Sequence, residues 1–445
     1  MFVQLHSQGV ACALVDPHSD LALDCLGGLA DQGYFQRPDA LEKLLYIDFR
    51  REDRFLPFNL LDQPYPDHAI ADWLLEVCLR AWPALADGAA PTFENLIRHS
   101  VLLLCQNGRL PFTHLARVLT DAGYRNELLQ SVTDPQVQRF FRDRVDQWGK
   151  EAAFMKESSL NRADLLTFHP VMRYSLGQRR NTLDFRRLMD DGVSLIVNLG
   201  GLPEQVQRFL GAFICHGFEV AALSRADLPA NQRSHYELML DEFSMFSSQS
   251  ESGLARILSL CRKYGLFLTM AHQTFSQVSE RMAGALQNAT TIGFRMGRSD
   301  AEWAAQRFGR FHEGEIKHLV LDPDAIERTH PVYTSLAEQG ERWVKAIEDL
   351  GQGEAFVRLG RETTKIRTRI LPPLRTSRAD LEVIADAYAR RHMTPATEVR
   401  SSVDQEMAPA SPVPTPLPWR ARAAEQPLLA IEAPGPRPVR ARRDD

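Results

Sequence analysis

Six consecutive apolar residues, Val10-Ala11-Cys12-Ala13-Leu14-Val15, stop abruptly at Asp16-Pro17-His18. A run this short, without polar alternation, fits a strand covered on both faces, as in the interior of a parallel sheet. Parallel neighbours cannot be joined by a hairpin; each needs a crossover, usually a helix. The chain supplies both parts. Leu44–Phe49, Val193–Leu199, Tyr236–Leu240, Leu266–Ala271 and Thr290–Phe294 read as further strands, and Glu204–Leu223, Gly253–Tyr264, Ser276–Leu286 and Asp300–Phe308 as helices. Gly265 is placed to stop the helix before it. Glu354–Leu359 and Lys365–Ile370 read as a closing hairpin, and Pro372-Pro373 ends the domain. The fold class is α/β with a parallel sheet.

Two stretches depart from this alternation. From Ile70 to Phe168 apolar residues recur at helical spacing and no strand-like run intervenes, with Pro91 and Pro111 where helices would begin. The expectation is an all-α insertion over 70–168, outside the sheet. It divides the core into a first part, 1–69, and a remainder, 169–374. A single amphipathic helix follows, within 375–393. The last stretch, 394–445, is rich in Pro, Ala, Arg and Glu and is expected to be disordered, because it offers too little apolar surface to bury.

Composition narrows the partners. The formal net charge is -5 over 445 residues, so any polyanion must be met by a local basic surface or an assembled channel. The six cysteines are scattered with no Cys-x-x-Cys pair and lie mostly in apolar runs, which fits small buried hydrophobes in a reducing compartment. No signal peptide is visible, and no apolar run approaches the ~20 residues of a membrane helix, so the chain reads as soluble.

The sharpest chemical feature is Tyr236-Glu237-Leu238-Met239-Leu240-Asp241-Glu242, a hydrophobic strand ending in two adjacent acids. In P-loop ATPases this is the Walker B arrangement: the first acid holds the Mg²⁺ shell and the second polarises the attacking water. An acid pair at a strand end also suits a helix N-terminus. The next strand ends in His272-Gln273. If the two strands are parallel neighbours, Gln273 emerges at the edge where ligands of open α/β sheets bind, beside Asp241 and Glu242. Arg262, in Leu260-Cys261-Arg262-Lys263-Tyr264-Gly265, falls at the opposite edge. It could reach a neighbour's site in a ring, or simply serve as a cation at a helix C-terminus.

Taken together these segments resemble the conjugative coupling protein family of type IV secretion (TraD/TraG type, FtsK/HerA-like P-loop ATPases). Asp16-Pro17-His18-Ser19-Asp20-Leu21 is similar to the family's DPHGDL stretch, with Ser19 for glycine. Pro57-Phe58-Asn59-Leu60-Leu61-Asp62 is similar to its FNPLD segment, with Leu60 for proline. Leu240–Phe243, Arg262–Gly265, Ala271–Gln273 and Phe294–Ala301 match its Walker B, RKYG, AHQ and FRVG-x-x-DA segments in order. The resemblance covers nearly all of residues 9–374. It implies a RecA-like ATPase core, a homo-hexameric ring, and ATP-driven pumping of DNA toward a secretion channel at the cytoplasmic face of the bacterial inner membrane. The relaxosome and secretion components are the implied partners, with the all-α insertion helping to recognise the DNA-processing complex. ATP and Mg are the implied cofactors. Matched residue by residue, Asp241 holds Mg through water, Glu242 is catalytic, Gln273 senses phosphate, Arg262 acts in trans, and Asp16 belongs to the cofactor-binding edge.

One departure stands out. No segment of the 445 residues fits G-x-x-x-x-G-K-[ST]; the only Gly-Lys pair, Gly149-Lys150, lies in the helical insertion and is followed by Glu151. Met1–Gln8 is expected to be the tail of the P-loop helix, with the P-loop, the first strand and any membrane anchor upstream. The alternative is a non-hydrolytic interaction module, or a relic of the family, that still binds the DNA-processing complex.

Overall fold

The computed structural model describes residues 1–82, 90–247, 251–274, 280–286, 289–321 and 329–407. In chain order the strands are β1 (Ala11–Asp16), β2 (Leu44–Asp48), β3 (Arg54–Phe55), β4 (Ser194–Asn198), β5 (Tyr236–Leu240), β6 (Leu266–Met270), β7 (Thr291–Gly293), β8 (Ile316–Leu321), β9 (Thr329–Tyr333), β10 (Glu354–Leu359), β11 (Glu362–Arg367) and β12 (Thr394–Pro395). The main sheet has the order β2-β4-β1-β5-β6 and is parallel throughout. The apolar runs read from the sequence are these five strands, and β1, β2 and β4 are fully buried.

Alternate residues of β1 feed two cores. Ala11, Ala13 and Val15 face the long helix Glu204–Ser224 and the helix Glu251–Leu260. Cys12 and Leu14 face Phe2 of the helix Phe2–Ser7, the helix Asp20–Asp31 and the helix Arg378–His392. All six cysteines are buried and free. Among the described residues one helical stretch, Glu204–Asp227, is long and apolar enough to cross a membrane, but 78% of its apolar window is buried against the rest of the chain. It is the central core helix.

Three expectations need correction. The segment expected as the strand Thr290–Phe294 leaves the parallel sheet: β7 pairs antiparallel with β10, which pairs with β11. This three-stranded sheet packs Phe356 on the helices Arg298–Phe308 and Leu336–Glu348, forming a small core of its own.

Second, the helical segment 70–168 is not a body apart from the sheet. Its first helix, Asp67–Ala81, lies along Glu204–Ser224: Trp73 stacks on Phe213 at 5.0 Å, and Trp82, just past the helix, stacks on Phe209 at 5.4 Å. Arg80 and Glu219, both buried, form an ion pair across the same seam at 3.4 Å. Apolar residues of the following helices join the same core, so the insertion shares its interior with the face of the sheet.

Third, order extends beyond 393. β12 pairs with β3, and the helix Ala396–Met407 buries Val399 and Val403. Glu406 at its end pairs with Arg179 at 3.2 Å and with His114 of the helical region at 3.4 Å. The remaining stretch expected to be disordered, 408–445, lies outside the described residues.

Candidate functional site

Because the main sheet is parallel, its strand ends share one edge, where in sheet order stand Asp48, Asn198, Asp16, Asp241-Glu242 and Ala271–Gln273. The pairing continues past the strands. The Asp241 N–H donates to the carbonyl of Val15 at 3.2 Å, Ala271 to Leu240 at 2.9 Å and Phe243 to Ala271 at 3.0 Å. Thus β1 and β6 flank the acid pair on both sides. β5 and β6 are parallel neighbours, so Asp241, Glu242 and Gln273 stand at the same edge of the sheet.

The backbone at this edge is strained in two places. Glu242 has φ +46° and Ser19 φ +78°, left-handed conformations that cost a non-glycine residue roughly 1–2 kcal/mol. Ser19 replaces the glycine of the resembling stretch, so it bears a conformation glycine would take freely. Its hydroxyl donates to Asn198 Oδ1 at 2.8 Å, and a Cβ on Gly200 would fall 1.9 Å from that hydroxyl. Gly200 is therefore needed to let Ser19 close. The strain at Glu242 turns the chain sharply after Asp241 and into the short helix Ser244–Ser247.

The acids differ in what they can do. Asp16 is fully buried, and its two oxygens accept the N–H groups of His18 and Ala22, each at 2.7 Å. Its carboxylate shapes the loop after β1. Asp241 is half-buried; burial first, then the charges of Asp16 and Glu242, push its carboxyl above the usual range. A crowded, partly desolvated acid is what a divalent cation would relieve. Gln273 is exposed. Beside it, the His272 ring packs edge-on against Phe243 at 4.9 Å.

Arg262 is not part of this group. It lies in the 3₁₀ turn Cys261–Tyr264 that leads into β6, at the opposite edge. Gly265 ends the turn with φ +84°, and a Cβ there would meet the Ser234 carbonyl at 2.5 Å, so glycine is required. Arg262 faces the Phe267 ring at 5.9 Å; His235 stacks on that ring at 4.1 Å.

Two arginines outside the motifs read from the sequence, Arg225 and Arg233, hold this turn. Arg225, wholly buried, pairs with Asp190 at 2.8 Å and donates to the carbonyls of Ser234 and Tyr264. Arg233 donates to the Lys263 carbonyl at 2.9 Å and lies over the Tyr264 ring. Neither position carries a pattern that marks it in the sequence.

Comparison with known proteins gives the following. Residues 177–292 match the family described as type IV secretory system conjugative DNA transfer. No curated protein matches the chain. The bacterial conjugative coupling protein TrwBdeltaN70, unbound, is similar in structure with a TM-score of 0.51 and 17% identity, over 84% of this chain and 82% of that one. The plasmid coupling protein TrwB in complex with the non-hydrolysable ATP analogue ADPNP gives a TM-score of 0.53 at 16% identity, with the same coverage. The matched segment runs from before β4 to β7 and includes Asp241, Glu242, Arg262 and Gln273. The fold is the RecA-like parallel sheet of the coupling proteins.

Proposed function

We propose that this chain, whose residues 177–292 match the conjugative DNA-transfer family of type IV secretion, belongs to a nucleotide-driven motor that moves DNA toward a secretion channel. The observation that carries the reading is the meeting of Asp241, Glu242 and Gln273 at one edge of three adjoining parallel strands. In it Asp241 would hold Mg²⁺, Glu242 would orient and polarise water, and Gln273 would report on a bound phosphate. Bound ATP and Mg²⁺ would supply the transferable phosphoryl group and its charge balance. Asp16, with both oxygens engaged, acts on loop shape and not as a ligand. Arg262, at the far edge, serves a neighbouring subunit of a homo-hexamer. The relaxosome and secretion components are the partners, and the working place is the cytoplasmic face of the inner membrane.

The crossovers of the main sheet say where a strand fused ahead of Phe2 would fall. Crossovers on the face of Glu204–Ser224 run toward β6, and the crossover through Asp20–Asp31 on the other face runs away from it, as one handedness requires. The helix Phe2–Ser7 lies on that second face and feeds β1. A strand fused ahead of that helix would by the same handedness fall on the β6 side of β1, where β6 has no second neighbour among the described strands. A phosphate loop between that strand and helix would then open over Asp241, Glu242 and Gln273.

A second reading, a non-hydrolytic interaction module, is favoured by the lack of any G-x-x-x-x-G-K-[ST] segment within the 445 residues. The deciding experiment fuses a strand, P-loop and helix ahead of Phe2 and measures ATP hydrolysis with DNA present. Turnover that Glu242→Gln abolishes supports the motor. A soluble fusion that binds ATP without any turnover supports the module.

A further inference from the structure

Four arginines crowd one end of the antiparallel sheet, where the β10–β11 turn meets the C-terminal end of the helix Arg298–Phe308. Arg310 donates through Nε to the carbonyl of Arg361 at 3.0 Å. Arg358 donates to the carbonyls of Arg307 and Gly360. Arg307 donates to the carbonyl of Leu286 and to Thr291 Oγ1. Every one of these acceptors is neutral. Several neighbouring cations of this lobe are matched: Arg298 with Glu302 and Glu341, Lys317 with Glu338, Arg342 with Glu315, Lys365 with Glu354. None of the four arginines has a carboxylate partner among the described residues. A helix C-terminus favours one cation by its dipole, but not four held together. Burial, and then the charge of Arg358, lower the pKa of Arg307, so the crowding has a cost.

The carbonyls fix the guanidiniums of Arg307, Arg310 and Arg358 in place without neutralising them. Arg310 and Arg361 are exposed. Phe311, directly after Arg310, leaves 39% of its surface open. Held cations beside an open aromatic ring are the elements by which proteins grip unpaired nucleic-acid strands.

We propose that this turn binds the phosphate backbone of single-stranded nucleic acid, with Arg310 and Arg361 on phosphates and Phe311 beneath a base. The choice of DNA as the polymer rests on the function proposed above; the site itself lies on the antiparallel sheet, apart from Asp241 and Glu242.

The test uses the full 445-residue chain without nucleotide and a fluorescent oligothymidylate, with affinity measured across a salt series. Each single-strand phosphate contact contributes about 0.7 to the log–log salt slope, so the double variant Arg310→Glu, Arg361→Glu should flatten it by about 1.4, that is two contacts of about 0.7 each. Phe311→Ala should weaken binding with the slope unchanged, and Lys317→Glu, a matched cation of the same lobe, should alter neither. Thermal melting confirms that each variant folds, and Arg310→Gln with Arg361→Gln gives the milder form of the same loss. Pyrophosphate should not displace the oligonucleotide at equal phosphate concentration; if it does, the site is for free anions and the proposal fails. It also fails if the wild-type chain binds no oligonucleotide, or if the double variant keeps the wild-type slope. Hydrolysis by the P-loop fusion is read separately, so loss of the motor reading leaves this result intact.

Discussion

The Phe243 N–H donates to the Ala271 carbonyl at 3.0 Å. That bond lies one residue beyond Glu242 and two before Gln273, so it couples the acid-bearing turn after β5 to the polar end of β6. Between them, Glu242 takes its left-handed conformation, φ +46°. Glycine would take that conformation without strain. Glu242→Gly should therefore stabilise the fold by about 1 kcal/mol, seen as a higher urea midpoint with an unchanged slope. An equal or lower midpoint would mean that the side chain contributes more to the native state than its backbone costs.

Arg262 should act between subunits. Its turn opens on the amino edge of the sheet, away from Asp241 and Glu242 of the same chain. In the P-loop fusion, Arg262→Ala subunits mixed with Glu242→Gln subunits should recover part of the ATP hydrolysis that each lacks alone, because some interfaces regain both groups. No recovery, with both variants assembled and binding nucleotide, would refute the assignment.

The seam between Asp67–Ala81 and Glu204–Ser224 should govern acid stability. Glu219 is buried between Arg80 and Arg256, the latter at 2.9 Å, and His216 Nδ1 lies 2.9 Å from its carboxylate. Burial tends to raise the Glu219 pKa, but its hydrogen bond with His216 and the nearby charges more than offset this and leave it lowered. Burial holds His216 below its ordinary 6.5, with the Glu219 bond only partly compensating. At neutral pH the imidazole is therefore uncharged, and the two guanidiniums balance Glu219. Both shifts are downward, so the unfolded chain binds more protons on acidification and stability falls. The His216 contribution is fully present above pH 6.5 and is lost as pH drops through its folded value; that of Glu219 is lost lower still. Urea midpoints from pH 8 to 5 should decline, and His216→Gln should flatten the upper part of that decline. Arg80→Met, which leaves Glu219 short of a partner, should cost about 3–5 kcal/mol at neutral pH. A flat pH profile or a neutral Arg80→Met would show that the cluster is not coupled to folding.

What was legible in the sequence followed from how each residue is buried. β1, β2 and β4 read as apolar runs because they are buried on both faces, while β5 carries Glu237 and β6 is largely half-exposed; Asp241, Glu242 and Gln273 stand where the last two end. β7 could not be placed. Three residues, Thr291–Gly293, carry no periodicity, and their partner β10 lies on the far side of the helix Leu336–Glu348. Helical spacing identified Asp67–Ala81 but not its neighbour, since an apolar stripe records burial and not against what. The helix Ala396–Met407 hides because only Val399 and Val403, one turn apart, mark its buried face among charged residues. Arg225 was invisible for the opposite reason. Nothing local shows that a loop arginine will find Asp190 and two carbonyls and be fully buried.

The same seam argues against trimming the chain at its apparent domain boundary. Deleting 70–168 removes Trp73 and Trp82 from Phe213 and Phe209 and leaves Glu219 facing solvent without Arg80. The remaining core should aggregate, although an insertion lying outside the sheet would be expected to leave it soluble. Trp73→Ala in the full chain should cost about 3–5 kcal/mol, the range for deleting a large buried aromatic. A soluble, cooperatively melting deletion would restore the picture of a detachable insertion.

The 445 residues alone should not hydrolyse ATP at a useful rate. Phosphoryl transfer depends on positioning and charge stabilisation, and in P-loop enzymes a cradle of backbone N–H groups, a lysine and a hydroxyl on the metal supply most of both. No segment here has the G-x-x-x-x-G-K-[ST] pattern that builds that cradle. Of the acids at the carboxyl edge, Asp16 has both oxygens engaged by its own loop. That leaves Asp241 to hold Mg²⁺, and one carboxylate holds it weakly unless phosphates share the ion. Glu242 can orient water only against a phosphate that is already fixed. Phosphate release by the purified chain should therefore stay at background with or without DNA, while the P-loop fusion turns over. Turnover by the chain alone that Glu242→Gln abolishes would overturn this. It would mean that another loop at the edge cradles the phosphates, and the loop Pro17–Ser19, already bent by the left-handed Ser19, would be the first place to look.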